Sequence, residues 1–129
     1  MTIQSDPAQN NAADAGWPEE IRVDPARRVL TIRFAGGAMH ALEAELLRTH
    51  SPSAEVQGHS PDQRVTVWGK RGVTIKALVP VGNYAVRIVF DDGHDTGIFT
   101  WTHLAAMGRD KAEMWLAYEK ELAEKGLSR

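Results

Sequence analysis

Tyr84-Ala85-Val86-Arg87-Ile88-Val89-Phe90-Asp91-Asp92-Gly93-His94-Asp95-Thr96-Gly97-Ile98-Phe99-Thr100 is the stretch whose reading decides the fold. Tyr84, Val86, Ile88 and Phe90 alternate with Ala85, Arg87 and Val89, the period of a strand with one face on a core. Asp91-Asp92-Gly93 is a tight turn in which glycine supplies the positive φ. His94 to Phe99 returns as the second strand, and Thr100 has the chemistry of a helix N-cap. The stretch therefore predicts a hairpin that runs directly into a helix.

The same unit occurs earlier in the chain. Leu30, Ile32 and Phe34 alternate with Val29, Thr31 and Arg33, Ala35-Gly36-Gly37 turns, and Ala38 to Leu42 returns. Leu42, Leu46 and Leu47 then fall at helical spacing, with Glu43 and Glu45 expected outward. Phe34 and Phe90 each close a strand three residues before a glycine, at an offset of 56 residues. Two hairpin-then-helix units predict an α+β fold, mainly antiparallel, with the units pairing into one sheet covered by helices.

Between the units, Pro52, Gly58 and Pro61 mark a loop over residues 51–62. Arg64 to Trp68 and Val73 to Val79 read as two strands joined by a Gly69-Lys70-Arg71-Gly72 hairpin loop, whose two cations read as a solvated tip. After Thr100 the expectation is a short helix through Met107 with Gly108 as its C′ residue. A second, amphipathic helix follows from an Asp110…Glu113 capping box, buries Trp115, Tyr118 and Leu122, and ends at Gly126. Residues 1–16, rich in Ala, Asn, Gln, Asp and Ser, have little to bury and are expected as a disordered tail before a single domain over 17–129.

Composition excludes several classes of function. The chain has 129 residues with 15 Lys+Arg against 17 Asp+Glu, a net charge of −2, so it lacks the basic excess of a nucleic-acid binder. It has no cysteine, which removes disulfides, thiol nucleophiles and thiolate metal sites. There is no apolar run long enough for a membrane span and no signal peptide in Met1 to Pro7, so a cytoplasmic location is expected. Neither a Walker loop, a dinucleotide fingerprint nor a Gly-x-Ser-x-Gly elbow occurs. Five histidines remain: His40, His50, His59, His94 and His103. His40 on a strand and His103 in a helix read as packing residues. Ser51-Pro52-Ser53-Ala54-Glu55 has the order of an N-cap, a proline at N1 and an acid in the first turn. With Arg48 it makes Ser51 and Ser53 a candidate anion or partner site.

Pro80 to Trp101 closely resembles the signature of the γ-butyrobetaine hydroxylase-like N-terminal domain family, and Leu46 to Val56 resembles its other marked segment. The resemblance covers roughly residues 20–108 and points to the stand-alone bacterial form, of unknown function. It implies the domain that precedes the oxygenase barrel in γ-butyrobetaine and trimethyllysine hydroxylases, and that is fused elsewhere to P-loop ATPases of the iron–sulfur scaffold kind. The chain has neither the barrel nor the His-x-Asp…His iron triad, so a hydroxylase is not expected. In the hydroxylases a structural zinc is implied on Cys-Pro-Cys-x-x-Cys and a distant histidine. Those positions fall here on Ser51, Ser53, Val56 and His94, and only the histidine survives.

Two functions follow as expectations. One is a non-catalytic accessory or protein-interaction domain without cofactor, linked through the fusions to iron–sulfur protein maturation and to a scaffold ATPase as partner. The other is a protein that binds zinc or iron through His94, His50 and His59, with Glu55 or Asp92, in place of the lost cysteines. It requires the loop over 51–60 to lie against the Asp92-Gly93 turn. Neither a nucleic acid nor a membrane is expected as partner, and the amphipathic terminal helix allows a homodimer.

Overall fold

The structure, a computed structural model, describes residues 2–4, 18–58 and 60–129. Strand β1 (Thr2–Gln4) pairs antiparallel with β2 (Pro18–Val23). The rest of the expected N-terminal tail lies outside the described residues. Strands β3 (Val29–Phe34) and β4 (Met39–Glu43) complete a four-stranded antiparallel sheet in the order β1-β2-β3-β4. Helices α1 (Ala44–Thr49) and α2 (Ala54–Gln57) follow, then a 3₁₀ turn at Pro61–Gln63. Strands β5 (Ile75–Val81), β6 (Ala85–Phe90) and β7 (Gly97–Thr100) form a separate three-stranded antiparallel sheet. The chain then forms α3 (Trp101–Lys125).

The two-unit reading holds down to individual hydrogen bonds. Phe34 N donates to Ala38 O at 2.8 Å and Gly37 N to Phe34 O at 2.9 Å. At the same offset, Phe90 N donates to His94 O at 2.9 Å and Gly93 N to Phe90 O at 3.2 Å. Gly37 and Gly93 take φ values of 95° and 92°, which a side chain would resist. The turn therefore sets the same register in both hairpins, and in the second it delivers His94 to the inner side.

The units do not merge into one sheet, however. A single broad sheet would leave one long apolar face to be covered on the first unit's side by α1, a helix of six residues. Instead Ile21, Leu30, Ile32 and Leu42 from the first sheet share one core with Ile75, Val86, Ile88 and Phe90 from the second, closed by Leu46, Leu47, Leu104 and Met107. Arg27 joins the sheets. Its carbonyl accepts from Ile75 N at 2.8 Å, and its guanidinium donates to the carbonyls of Ile75 and Lys76.

Four further expectations are corrected. Residues 64–68 form no strand, because their polar groups are taken elsewhere: Val65 N donates to Val56 O and Val67 O accepts from the Tyr118 hydroxyl. Lys70 is no free hairpin tip but an ion-pair partner of Asp92 at 2.7 Å. The helices expected on either side of Gly108 are one helix of 25 residues, with Thr100 as N-cap and Gly126 as C-cap as expected. Gly108 lies inside it because α3 crosses β4 there, and a Cβ would stand 2.2 Å from His40 Cγ. Asp110 is consequently an exposed mid-helix residue. Finally, Glu45 is buried rather than outward, its carboxylate held by Arg129 at 2.7 and 3.0 Å.

The outer faces of the two sheets differ in the share of charge they carry. That of the first mixes Glu20, Arg22, Thr31, Arg33 and Glu43 with Val29, Met39 and Ala41, and Arg22 is paired to Glu20. On the second, register places Ala77 beside Val89, Val79 beside Arg87, and Arg87 beside Ile98. Ala77, Val79, Val81 and Val89 are half-buried there and Ile98 is exposed.

Candidate functional site

The positions that the resemblance maps onto zinc ligands converge. Ser51 and Ser53 lie on the short connection from α1 to α2, Val56 on α2, and His94 after the β6 turn. All four are buried. Ser51 Oγ lies 2.9 Å from His94 Nε2 and Ser53 Oγ lies 3.4 Å from it. On the other side of the ring, Nδ1 lies 3.0 Å from Glu55 Oε2, and Glu55 Oε1 accepts from the Thr96 hydroxyl. The loop and the turn thus pack together.

The carboxylate fixes the proton positions. An ionised Glu55 only accepts, so Nδ1 carries the hydrogen and Nε2 accepts from Ser51. Burial pushes the His94 pKa down, the Arg48 guanidinium pushes it the same way, and Glu55 opposes them only in part. The ring is therefore neutral at pH 7. Beneath it, Asp92 Oδ1 accepts from His94 N, while Oδ2 accepts from Arg48 at 2.8 Å and Lys70 at 2.7 Å. Burial opposes the ionisation of Asp92, but Lys70, the His94 amide and Arg48 outweigh it and bring the carboxyl down to about 2.

Glu55, His94 and Ser51 have the order of a hydrolase triad, but a substrate has no route to the hydroxyl. Ser51 is fully buried, and Gly97 packs so closely that a Cβ there would stand 2.2 Å from Ser51 Oγ. A structural zinc does not fit either. Two hydroxyls committed to the histidine and the apolar Val56 supply no thiolate. What persists is the outer support of such a site, a histidine oriented by a carboxylate.

The remaining candidates lie elsewhere. His50 turns to the α1 carbonyl of Leu46 and packs its ring against Tyr118 of α3 at 5.6 Å. His59 lies outside the described residues. Among the described residues, no three His, Asp or Glu side chains gather as a metal-holding group. The cap at this loop is Ser53 rather than Ser51, and its side chain makes no capping bond. With both hydroxyls on His94 and Arg48 on Asp92, the candidate anion site retains one free donor, Arg48 Nη1, buried without a partner among the described residues.

The structure defines a two-sheet α+β domain in which a buried histidine is hydrogen-bonded to Ser51 and Glu55. The family model described as γ-butyrobetaine hydroxylase-like, N-terminal, matches residues 21–105, and the chain belongs to that family. Two solution NMR structures are similar to it. One has 44% identity and a TM-score of 0.75, covering 88% of this chain and 89% of the other. The second has 41% identity and a TM-score of 0.77, covering 92% and 88%. A crystal structure of a protein of unknown function in the DUF971 family, from Acidithiobacillus ferrooxidans, has 36% identity and a TM-score of 0.62, covering 75% of this chain and 98% of the other. No curated protein matches the chain. No helix among the described residues is long and apolar enough to cross a membrane.

Proposed function

We propose that this chain is a non-catalytic accessory domain that docks a protein partner, in the cytoplasm, through the outer face of its second sheet. The observation that carries the reading is the apolar run of that face at Ala77, Val79, Val81 and Val89, with the exposed Ile98 beyond Arg87. An apolar surface beside isolated charges is what an interaction domain leaves uncovered. The inaccessible Ser51 hydroxyl supports a role without catalysis. The fusions of the family it resembles favour a P-loop ATPase of iron–sulfur protein maturation as the partner.

The test is calorimetric binding of the chain to the iron–sulfur scaffold ATPase of the same cell, with Ile98→Asp and Val79→Asp as variants. The expected result is binding that weakens about ten-fold or more in either variant, as for a central interface residue. Absence of binding by the parent chain, or equal binding by both variants, overturns the reading. A concentration-dependent dimer abolished by the same substitutions would instead assign the face to a second copy.

A further inference from the structure

We infer that the cleft between β3, β4 and α3 is a binding site for a carboxylate with a small apolar body. The cleft has a volume of about 310 Å³ and lies where Arg28, Glu43, Glu45, Arg71, Trp115 and Arg129 meet, with Val29 and Val73 as further apolar wall. That volume is at the small end for ligand sites.

The charges in the cleft are unequally used. Arg129 lies over the Trp115 ring, 4.9 Å from its centroid, and gives both its hydrogen bonds to Glu45. Glu43 accepts from Trp115 Nε1 at 2.8 Å and has Lys111 Nζ at 3.8 Å. Arg28 and Arg71 are different. They are neighbours, with Arg28 Nη1 3.5 Å from the Arg71 carbonyl, and among the described residues neither guanidinium pairs with a carboxylate. Each guanidinium without a carboxylate partner is a planar donor fork that can take a carboxylate bidentately.

The rest of the lining selects the class. The guanidinium groups of Arg28, Arg71 and Arg129, with Lys111 beside Glu43, outnumber the two carboxylates, so the cleft favours an anion. Val29, Val73 and the Trp115 ring offer apolar wall beside the arginines, which suits a hydrocarbon body and not a bare inorganic ion. The carboxylate can come from a free small acid or from an acidic side chain of a protein.

The test is a titration of the isotopically labelled full chain, followed by amide and indole resonances. The probes are 3-phenylpropionate, a capped peptide with one glutamate, and inorganic phosphate. A carboxylate should shift the Trp115 indole and the Arg71 and Val73 amides saturably. Half-saturation should rise about ten-fold in Arg28→Ala and Arg71→Ala. Both side chains are exposed, and unchanged spectra elsewhere will show that these variants fold. Saturation by phenylpropionate assigns a free acid, and saturation by the peptide alone assigns a protein side chain. Absence of saturation with both carboxylates, phosphate binding as tight as theirs, or unchanged affinity in the combined Arg28→Ala/Arg71→Ala variant overturns the proposal.

Discussion

Replacing His94 by alanine tests whether hydrogen bonds hold the loop where relatives of this domain are implied to use zinc. The His94 side chain is 2% exposed. Its removal orphans Ser51 Oγ, which is fully buried, at a cost of about 1–3 kcal/mol. The ring also packs against Phe90, with centroids 6.0 Å apart, and the void it leaves adds about 1 kcal/mol. Ser53 at 3.4 Å and the solvent-facing Glu55 contribute little. The sum, about 2–4 kcal/mol, corresponds to a fall in Tm of about 8–15 °C for a domain of this size. Near-ultraviolet circular dichroism or calorimetry reads it, with amide exchange of Ser51 to Val56 as the local probe. A Tm within about 2 °C of the parent, with undiminished protection of that loop, would refute the reasoning.

Other consequences are equally open to measurement. The triple variant Ser51→Cys/Ser53→Cys/Val56→Cys places three thiolates around His94 and should bind one zinc per chain, with a Tm that falls on chelation; the parent chain should show no change in Tm with a chelator. Gly108→Ala gains helix propensity but drives a methyl group into His40, so urea unfolding should show a net loss of about 1–2 kcal/mol. Adding His40→Ala should restore part of it. Arg129→Ala leaves the buried Glu45 carboxylate without its ion-pair partner and should cost about 1–2 kcal/mol, discounted because Arg129 is one-third exposed. Burial lowers the pKa values of His50, His94 and His103, so the unfolded chain binds more protons just below its histidine pKa. Stability should therefore be complete above about pH 6.5 and fall as pH drops below it, by at most about 1.4 kcal/mol per pH unit per histidine. Urea midpoints that stay level from pH 7.5 to 5.5 would contradict this.

Local signals in the sequence carry as far as a hairpin and its neighbouring helix. Alternation in Val86, Ile88 and Phe90, the glycine turn, the Thr100 cap and the Gly126 stop each depend on residues within a few positions, and all appear as read. The gathering of Ser51, Ser53 and His94 is also legible, but through family resemblance, since the serines lie about forty residues from the histidine. Proximity in sequence gave no warning that His50 would turn away to Tyr118.

Tertiary packing decided the remainder. Gly108 reads as a stop because glycine usually weakens a helix, yet here the His40 ring requires it within one. Glu45 reads as solvent-facing by helical period, but Arg129, 84 residues away, brings it a partner. Residues 64–68 have strand composition and lose their pairing to Val56 and Tyr118. The sequence by itself determined the two hairpins and the two-fold repeat of their order, because those follow from periodicity and turn chemistry. Only the tertiary structure decided that the units pack face to face and that Arg28 and Arg71 share a cleft. Both depend on how apolar area and charge from distant segments are shared, and no local pattern encodes that.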